Sequence, residues 1–137
     1  MKQEDVKIVA RLEEEIFSDS WSEQSIQETY QQERAILLVA RDDEKTVGYL
    51  IAYHVLDEVE LVRIAVQQDA RCHGIGRKLL AKLIEIVPNG QIILEVREHN
   101  KSAIIFYLKQ DFREIGVRKK FYTNPTEDAI LMRKKIC

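Results

Sequence analysis

The chain has 137 residues, 45% of them hydrophobic, and carries 21 basic against 23 acidic side chains for a formal charge of −2. That length suits one domain with a real core, and the near balance of charge gives no electrostatic basis for nucleic-acid binding as the main activity. Cys72 and Cys137 have no spacing that holds zinc, and the charged start, MKQEDVKIVARLEEE, suits neither a signal peptide nor a membrane span, so a single cytoplasmic domain over 1–137 with no metal and no membrane contact is expected.

In chain order, Val6, Val9, Leu12 and Ile16 recur three or four apart and predict an amphipathic helix over Asp5 to Phe17, with Glu13, Glu14 and Glu15 turned to solvent. Ser22 is a good cap for a second short helix with Ile26 and Tyr30 on its inner face, and Trp21 lies between the two. AILLVAR, TVGYLIAYHVL and EVELVRIAV are rich in β-branched and aromatic residues and predict an antiparallel meander. In the third segment Val62, Ile64 and Val66 alternate with Leu61, Arg63 and Ala65, as in a strand with one strongly apolar face. Leu79, Leu80, Leu83, Ile84 and Val87 then mark a helix closed by the turn Pro88-Asn89-Gly90. A strand at QIILEV, a helix opening near Asn100 and two strand-like pieces around FREIGVRKKFY and DAILMRK complete the chain. Two helices, three strands, helix, strand, helix and two strands imply an α/β (mixed α+β) fold, a mixed sheet covered by helices on both faces. Its strand, glycine loop, helix and strand portion has the βαβ form that makes two strands parallel neighbours.

RCHGIGRKLL, residues 71–80, puts two of the chain's five glycines one residue apart just before that helix. With Gly74 and Gly76 bare, amides from about Cys72 to Arg77 can turn toward one point, where the helix dipole adds roughly half a positive charge, and a pyrophosphate suits such a place. Arg71 and Arg77 are placed either to add charge-assisted contacts or to face water. A turn that merely starts a helix uses the same glycines. The loop matches neither GxxxxGK[ST] nor GxGxxG, which needs glycine at Leu79, so a different phosphate-bearing cofactor is required.

The run Arg71-Cys72-His73-Gly74-Ile75-Gly76, R-x-x-G-x-G before a leucine-rich helix, resembles the acetyl-coenzyme A loop of the GNAT acyltransferase superfamily. LVRIAV ahead of it and LEVREHNKSAIIFY after it stand where that family has its central strands and last long helix. More narrowly, VLDEVELVRIAV, LEVREHNKSA, FY and EDAILM resemble the ribosomal-protein-alanine N-acetyltransferases, the RimI group, over nearly the whole chain. The resemblance implies a GNAT fold, with a mostly antiparallel sheet whose central strands splay. It implies that the loop from Arg71 through Cys72, His73, Gly74, Ile75 and Gly76 to Arg77 binds the pyrophosphate of acetyl-coenzyme A. It further implies that the strand edge at Ile64, Ala65 and Val66 pairs with the pantetheine amides, and that Asn100 contacts the cofactor while capping its helix. Glu95 and Tyr107 match the positions of the general base and general acid.

That chemistry is consistent with what acyl transfer to an amine demands. A splayed strand leaves N–H groups free, one of which can polarise the thioester carbonyl, while the amine must lose a proton and the thiolate gain one. An α-amine near 8 is easier to deprotonate than a lysine near 10.4, by roughly 3 kcal/mol. A carboxylate near about 4.3 is still a poor base for an ammonium, so an intervening water is favoured over a raised Glu95 pKa. Without the motif, Glu95 reads as an edge-strand glutamate facing solvent and Tyr107 as core in a stripe with Ile104 and Leu108. His99 reads as a loop residue, His73 lies near the phosphate, His54 ends a strand, and the Cys72 thiol is not needed as a nucleophile.

For the acceptor, Asp57, Glu58 and Glu60, with Glu23 of the helical segment that the resemblance places along the peptide groove, form an acidic rim suited to a basic protein N-terminus, or else a solvated acidic turn. Trp21 and Tyr122 are candidate aromatic walls or ordinary packing. The resemblance points to the terminal alanine of a small-subunit ribosomal protein. A family member acting on a small amine or lysine, and a non-catalytic acyl-coenzyme A-binding module, are the rival readings. Two departures from the family stand out. Only Met1-Lys2-Gln3 precede Asp5, so the family's first strand is expected to be truncated or very short, and Asp111 replaces the glycine before Phe112 in a turn that aspartate can still enter.

Overall fold

The computed structural model describes residues 1–71, 73–87, 89–122 and 126–136. Cys72, Cys137 and Pro88 of the expected turn lie outside them. The chain runs through α1 (Asp5–Ile16), α2 (Glu23–Tyr30), β1 (Ala35–Asp42), β2 (Lys45–Val55), β3 (Glu58–Val66), a short 3-10 turn (Gln68–Ala70), α3 (Ile75–Ile86), β4 (Gly90–Arg97), α4 (Lys101–Lys109), β5 (Arg113–Tyr122) and β6 (Glu127–Ile136). The order of helices and strands is the expected one. Residues 1–4 form no strand, and the Met1 amine donates to Leu37 O at 3.3 Å.

The six strands form one sheet in the order β1-β2-β3-β4-β6-β5. β3 and β4 are parallel and the other neighbours antiparallel, which is the mixed sheet anticipated from the chain order and the mostly antiparallel one that the resemblance implies. The parallel pair arises because α3 carries the chain back along the sheet between them. On one face Leu79, Leu80 and Leu83 of α3 and Tyr107 of α4 pack on Leu50, Leu61, Ile92, Leu94 and Met132. On the other, Val6, Val9 and Leu12 of α1 and Ile26 of α2 cover Leu37, Tyr49, Ile51 and Ala65. Each fully buried leucine or isoleucine adds about 1.5–3 kcal/mol relative to exposure. On α4 the inner stripe is Ala103, Ile104, Phe106 and Tyr107, whereas Leu108 is exposed, contrary to the stripe expected of it.

Two expectations fail for related reasons. Glu13 is fully buried rather than turned to solvent. It stands four residues after Val9 and three before Ile16, inside the apolar stripe, and Arg63 of β3 meets its carboxylate at 3.0 Å. The second concerns β3, where Val62, Ile64 and Val66 do not share one face. Ile51 pairs with Arg63 while Ala52 pairs with Leu61, so Val62 is an extra residue, a β-bulge. Beyond it the alternation changes phase: Leu61 and Ile64 pack with the α3 side, Val62 and Ala65 with the α1 side.

Positive φ marks the turns. Asp111 adopts φ 69° before Phe112, so the turn persists without glycine. Gly90 opens β4 at φ 113°, and a Cβ there would lie 2.0 Å from Asp57 O, the carbonyl that accepts Gln91 N at 2.9 Å. Gly90→Ala is therefore expected to lower stability by at least about 2 kcal/mol, read as a reduced urea midpoint with an unchanged slope.

Candidate active site

The site begins where two strands stop sharing hydrogen bonds. β3 and β4 pair from Glu58 with Gln91 to Leu61 with Leu94, yet β3 continues to Val66 and β4 to Arg97. The bulge at Val62 turns β3 aside immediately after the last pair. Ile64, Ala65 and Val66 therefore keep their bonds to β2 but present an open backbone edge toward β4. Glu95 is the first residue of β4 beyond the paired stretch. Both α3 and α4 start at this same end, so the crevice lies beyond the carboxyl ends of the parallel pair, the usual ligand position in such sheets.

At the head of α3, Gly74 is the N-cap in the left-handed region, φ 75°, with no side-chain cap. The first helical bond is Lys78 N to Gly74 O at 3.0 Å, which leaves the amides of Ile75, Gly76 and Arg77 ahead of any helical acceptor. This uncapped start fits a diphosphate. Gly76 has a second reason to be glycine: its Cβ would lie 3.2 Å from Cζ of Phe106, whose ring uses the space. Arg71 donates through Nε to Val66 O at 2.9 Å, tying the loop to the strand edge, while His73 and Arg77 are exposed. Cys72 lies outside the described residues.

Across the fork, Glu95 is about a quarter exposed and its Oε1 receives Arg118 Nη1 of β5 at 2.7 Å. Tyr107 is 8% exposed, with ring neighbours Phe106 and Phe112 at 5.4 and 5.5 Å. Burial first, and the adjacent Tyr122 second, push its phenol far above the ordinary value, so it stays protonated. Asn100 caps α4, its Oδ1 accepting Ala103 N at 3.3 Å. Tyr122, half-buried at the end of β5, stacks with Arg97 at 4.3 Å; burial and then the Glu95 charge raise its pKa, against the pull of Arg97.

His99 has a partner invisible in the sequence, because its Nδ1 lies 2.8 Å from Oε2 of buried Glu127, which also accepts the His99 amide. The acidic rim comes apart. Asp57 and Glu58 sit at the β2–β3 hairpin, level with the start of β4, about 13 Å from Glu95 along the strand at about 3.3 Å per residue. Glu60, in register with Ile93, is the nearest of the three. The charges around the fork are instead Arg63, Glu95, Arg97, Arg118 and Glu127, and only Glu95 was singled out from the sequence. Arg63 alone carried a signal, a lone cation in the apolar run ELVRIAV. Trp21 does face this region, half-buried, 5.8 Å from the Arg63 guanidinium.

A helix start that offers amides to a diphosphate and a strand edge that can pair with an amide-bearing arm define a transferase for acyl groups carried on coenzyme A. The chain belongs to the acetyltransferase (GNAT) family, whose sequence pattern matches residues 6–112. It is 33% identical over 133 residues to the [ribosomal protein bS18]-alanine N-acetyltransferase of Salmonella typhimurium, covering 93% of this chain and 89% of that one. The crystal structure of the ribosomal-protein-S18-alanine N-acetyltransferase from Escherichia coli superposes with a TM-score of 0.90 at 32% identity, over 99% of this chain and 90% of that one. An uncharacterized protein of Mycobacterium leprae is 32% identical over 96% of this chain, which spans 38% of that protein's length. Among the described residues no group of three or more His, Cys, Asp or Glu side chains is placed to hold a metal ion, and no helix is long and apolar enough to cross a membrane.

Glu127 also gives the site a pH signature. The His99 amide first, then the His99 ring and Arg97, hold its carboxyl below the ordinary 4.5. The folded state thus favours the charged form, and this stabilisation is complete above that value and lost as pH falls through the folded pKa. Glu127→Gln should melt below the wild type at neutral pH, with the gap closing in acid, as thermal midpoints across a pH series will show.

Proposed function

We propose that this protein, as one catalytic domain over 1–137, transfers the acetyl group of acetyl-coenzyme A to the N-terminal α-amine of a protein, the terminal alanine of a small-subunit ribosomal protein. The observation that carries this reading is the fork itself, with Glu95 as the first residue of β4 past the last shared hydrogen bond. The names of the relatives above support the acceptor, and a ribosomal acceptor fits a reaction in the cytoplasm.

Acetyl-coenzyme A supplies an activated acetyl thioester. The amides of Ile75, Gly76 and Arg77, with Gly74 and the flanking Arg71, Cys72 and His73, hold its diphosphate, and the edge at Ile64, Ala65 and Val66 pairs with its amide-bearing arm. Asn100 faces the same arm from the head of α4. A free N–H of β3 polarises the carbonyl. Glu95 draws the proton from the attacking amine through a water: Arg118 holds Oε1, leaving Oε2 for that water. Tyr107, kept neutral by burial and so too weak an acid for a separate transfer step, donates to the sulfur in concert with carbon–sulfur cleavage and regains a proton from solvent as Glu95 releases the amine proton there. An α-amine loses its proton more readily than lysine, which favours a chain terminus as the acceptor.

Incubation with acetyl-coenzyme A and a peptide beginning Ala-Arg should give one acetyl of mass gain at the α-amine with stoichiometric thiol release. Preferential transfer to lysine side chains or small amines would replace the acceptor, and tight cofactor binding with no transfer to any amine would make the protein a binding module. Glu95→Gln is expected to keep acetyl-coenzyme A affinity by calorimetry and to lose about 10²–10⁴-fold in kcat/KM. Tyr107→Phe should lower kcat by about tenfold or more with KM little changed.

A further inference from the structure

The bulge that opens the fork also aims one side chain. Val62 and Arg63 are consecutive, yet both lie on the α1 face, because the extra residue breaks the alternation there. The Arg63 side chain, only 16% exposed, reaches from β3 into α1 and the segment that follows it. Its Nε donates to Glu13 Oε1 at 3.0 Å, and Nη2 donates to Asp19 O at 3.0 Å and meets Asp19 Oδ1 at 3.4 Å. The guanidinium lies 4.0 Å from the ring centre of Phe17. The other oxygen of Glu13 accepts Trp21 N at 3.3 Å. Residues 17–21 form no helix or strand, so this one network, rooted next to the open edge at Ile64, Ala65 and Val66, positions them.

We propose that Arg63 is a positioning residue for acceptor selection: it sets the separation between the aromatic wall of Phe17 and Trp21 and the open edge of β3, and so the room left for the first residue of the acceptor. The inference rests on the reading of the site as a protein N-terminal acetyltransferase. Guanidinium geometry is essential to it, since the planar fork bonds a buried carboxylate and a loop carbonyl while stacking on a ring, and an ammonium can satisfy only part of that set. Neutral apolar replacement leaves Glu13 buried without its cation. A wall held this way acts on the acceptor and leaves the cofactor contacts at the head of α3 untouched.

The experiment compares wild type, Arg63→Lys and Arg63→Met with Ala-Arg, Leu-Arg and small-amine acceptors. Arg63→Met is expected to raise KM for the Ala-Arg peptide by about ten- to hundredfold and to narrow the preference over Leu-Arg. KM for acetyl-coenzyme A and turnover of the small amine should stay within about twofold. Arg63→Lys, which keeps a cation beside Glu13 and so the fold, should recover part of the peptide KM at a melting temperature close to wild type. Unchanged peptide KM and preference in both variants, or an equal loss toward acetyl-coenzyme A and the small amine, overturns the proposal. Failure of the wild type on every peptide overturns the N-terminal acetyltransferase reading instead.

Discussion

The organising constraint is the loss of backbone pairing between β3 and β4 after Leu61 and Leu94. Unpaired strand groups inside a sheet are costly unless something else satisfies them, and here the extra residue at Val62 forces the separation while the far side of β3 stays bonded to β2. The open edge, the exposure of Glu95 at the tip and the inward aim of Arg63 follow from that one irregularity, while the parallel course of β3 and β4 puts both helix starts at the same end. A coenzyme with amides along its arm and a diphosphate at its end is the kind of molecule that supplies the missing partners.

Among the described residues each strongly buried acid has a cation: Glu13 is met by Arg63, Glu127 by Arg97, and Asp5, at the head of α1, by Arg41 at 2.7 Å. Pairing of this kind adds little net stability relative to an apolar core, but it fixes direction, because each guanidinium accepts only certain geometries. The phenols divide by environment in the same spirit. Tyr49 and Tyr107 are raised chiefly by burial, Tyr49 also by the neighbouring Glu13 charge, while Tyr122 is half-buried among charges of both signs. Burial therefore keeps the Tyr107 phenol protonated, while Tyr122 feels the charge of Glu95.

The elements of the fold were legible because their periods are local. Val6, Val9 and Leu12 in α1, the α3 leucines and the caps Ser22 and Asn100 depend on neighbours three or four residues away, and the structure reproduces them. The loop of Gly74 was legible in the same way, since an uncapped left-handed N-cap needs only local backbone. The misreadings were nonlocal. Glu13 has the spacing of the buried stripe, but the cation that lets an acid be buried there, Arg63, is fifty residues away; Asp57 and Glu58 looked close to the site because sequence proximity ignores which end of a strand the fork occupies, and His99 looked unpaired because Glu127 comes from β6.

The sequence by itself therefore determined the succession of helices and strands, the glycine helix start and the family, all of them written in short-range spacing and ordered motifs. The tertiary structure alone decided where pairing between β3 and β4 ends, which face Arg63 takes and which charges surround Glu95. A bulge moves one residue along a strand without leaving a signature in composition, and charge partners are chosen by the distance between elements in space, which no reading along the chain measures.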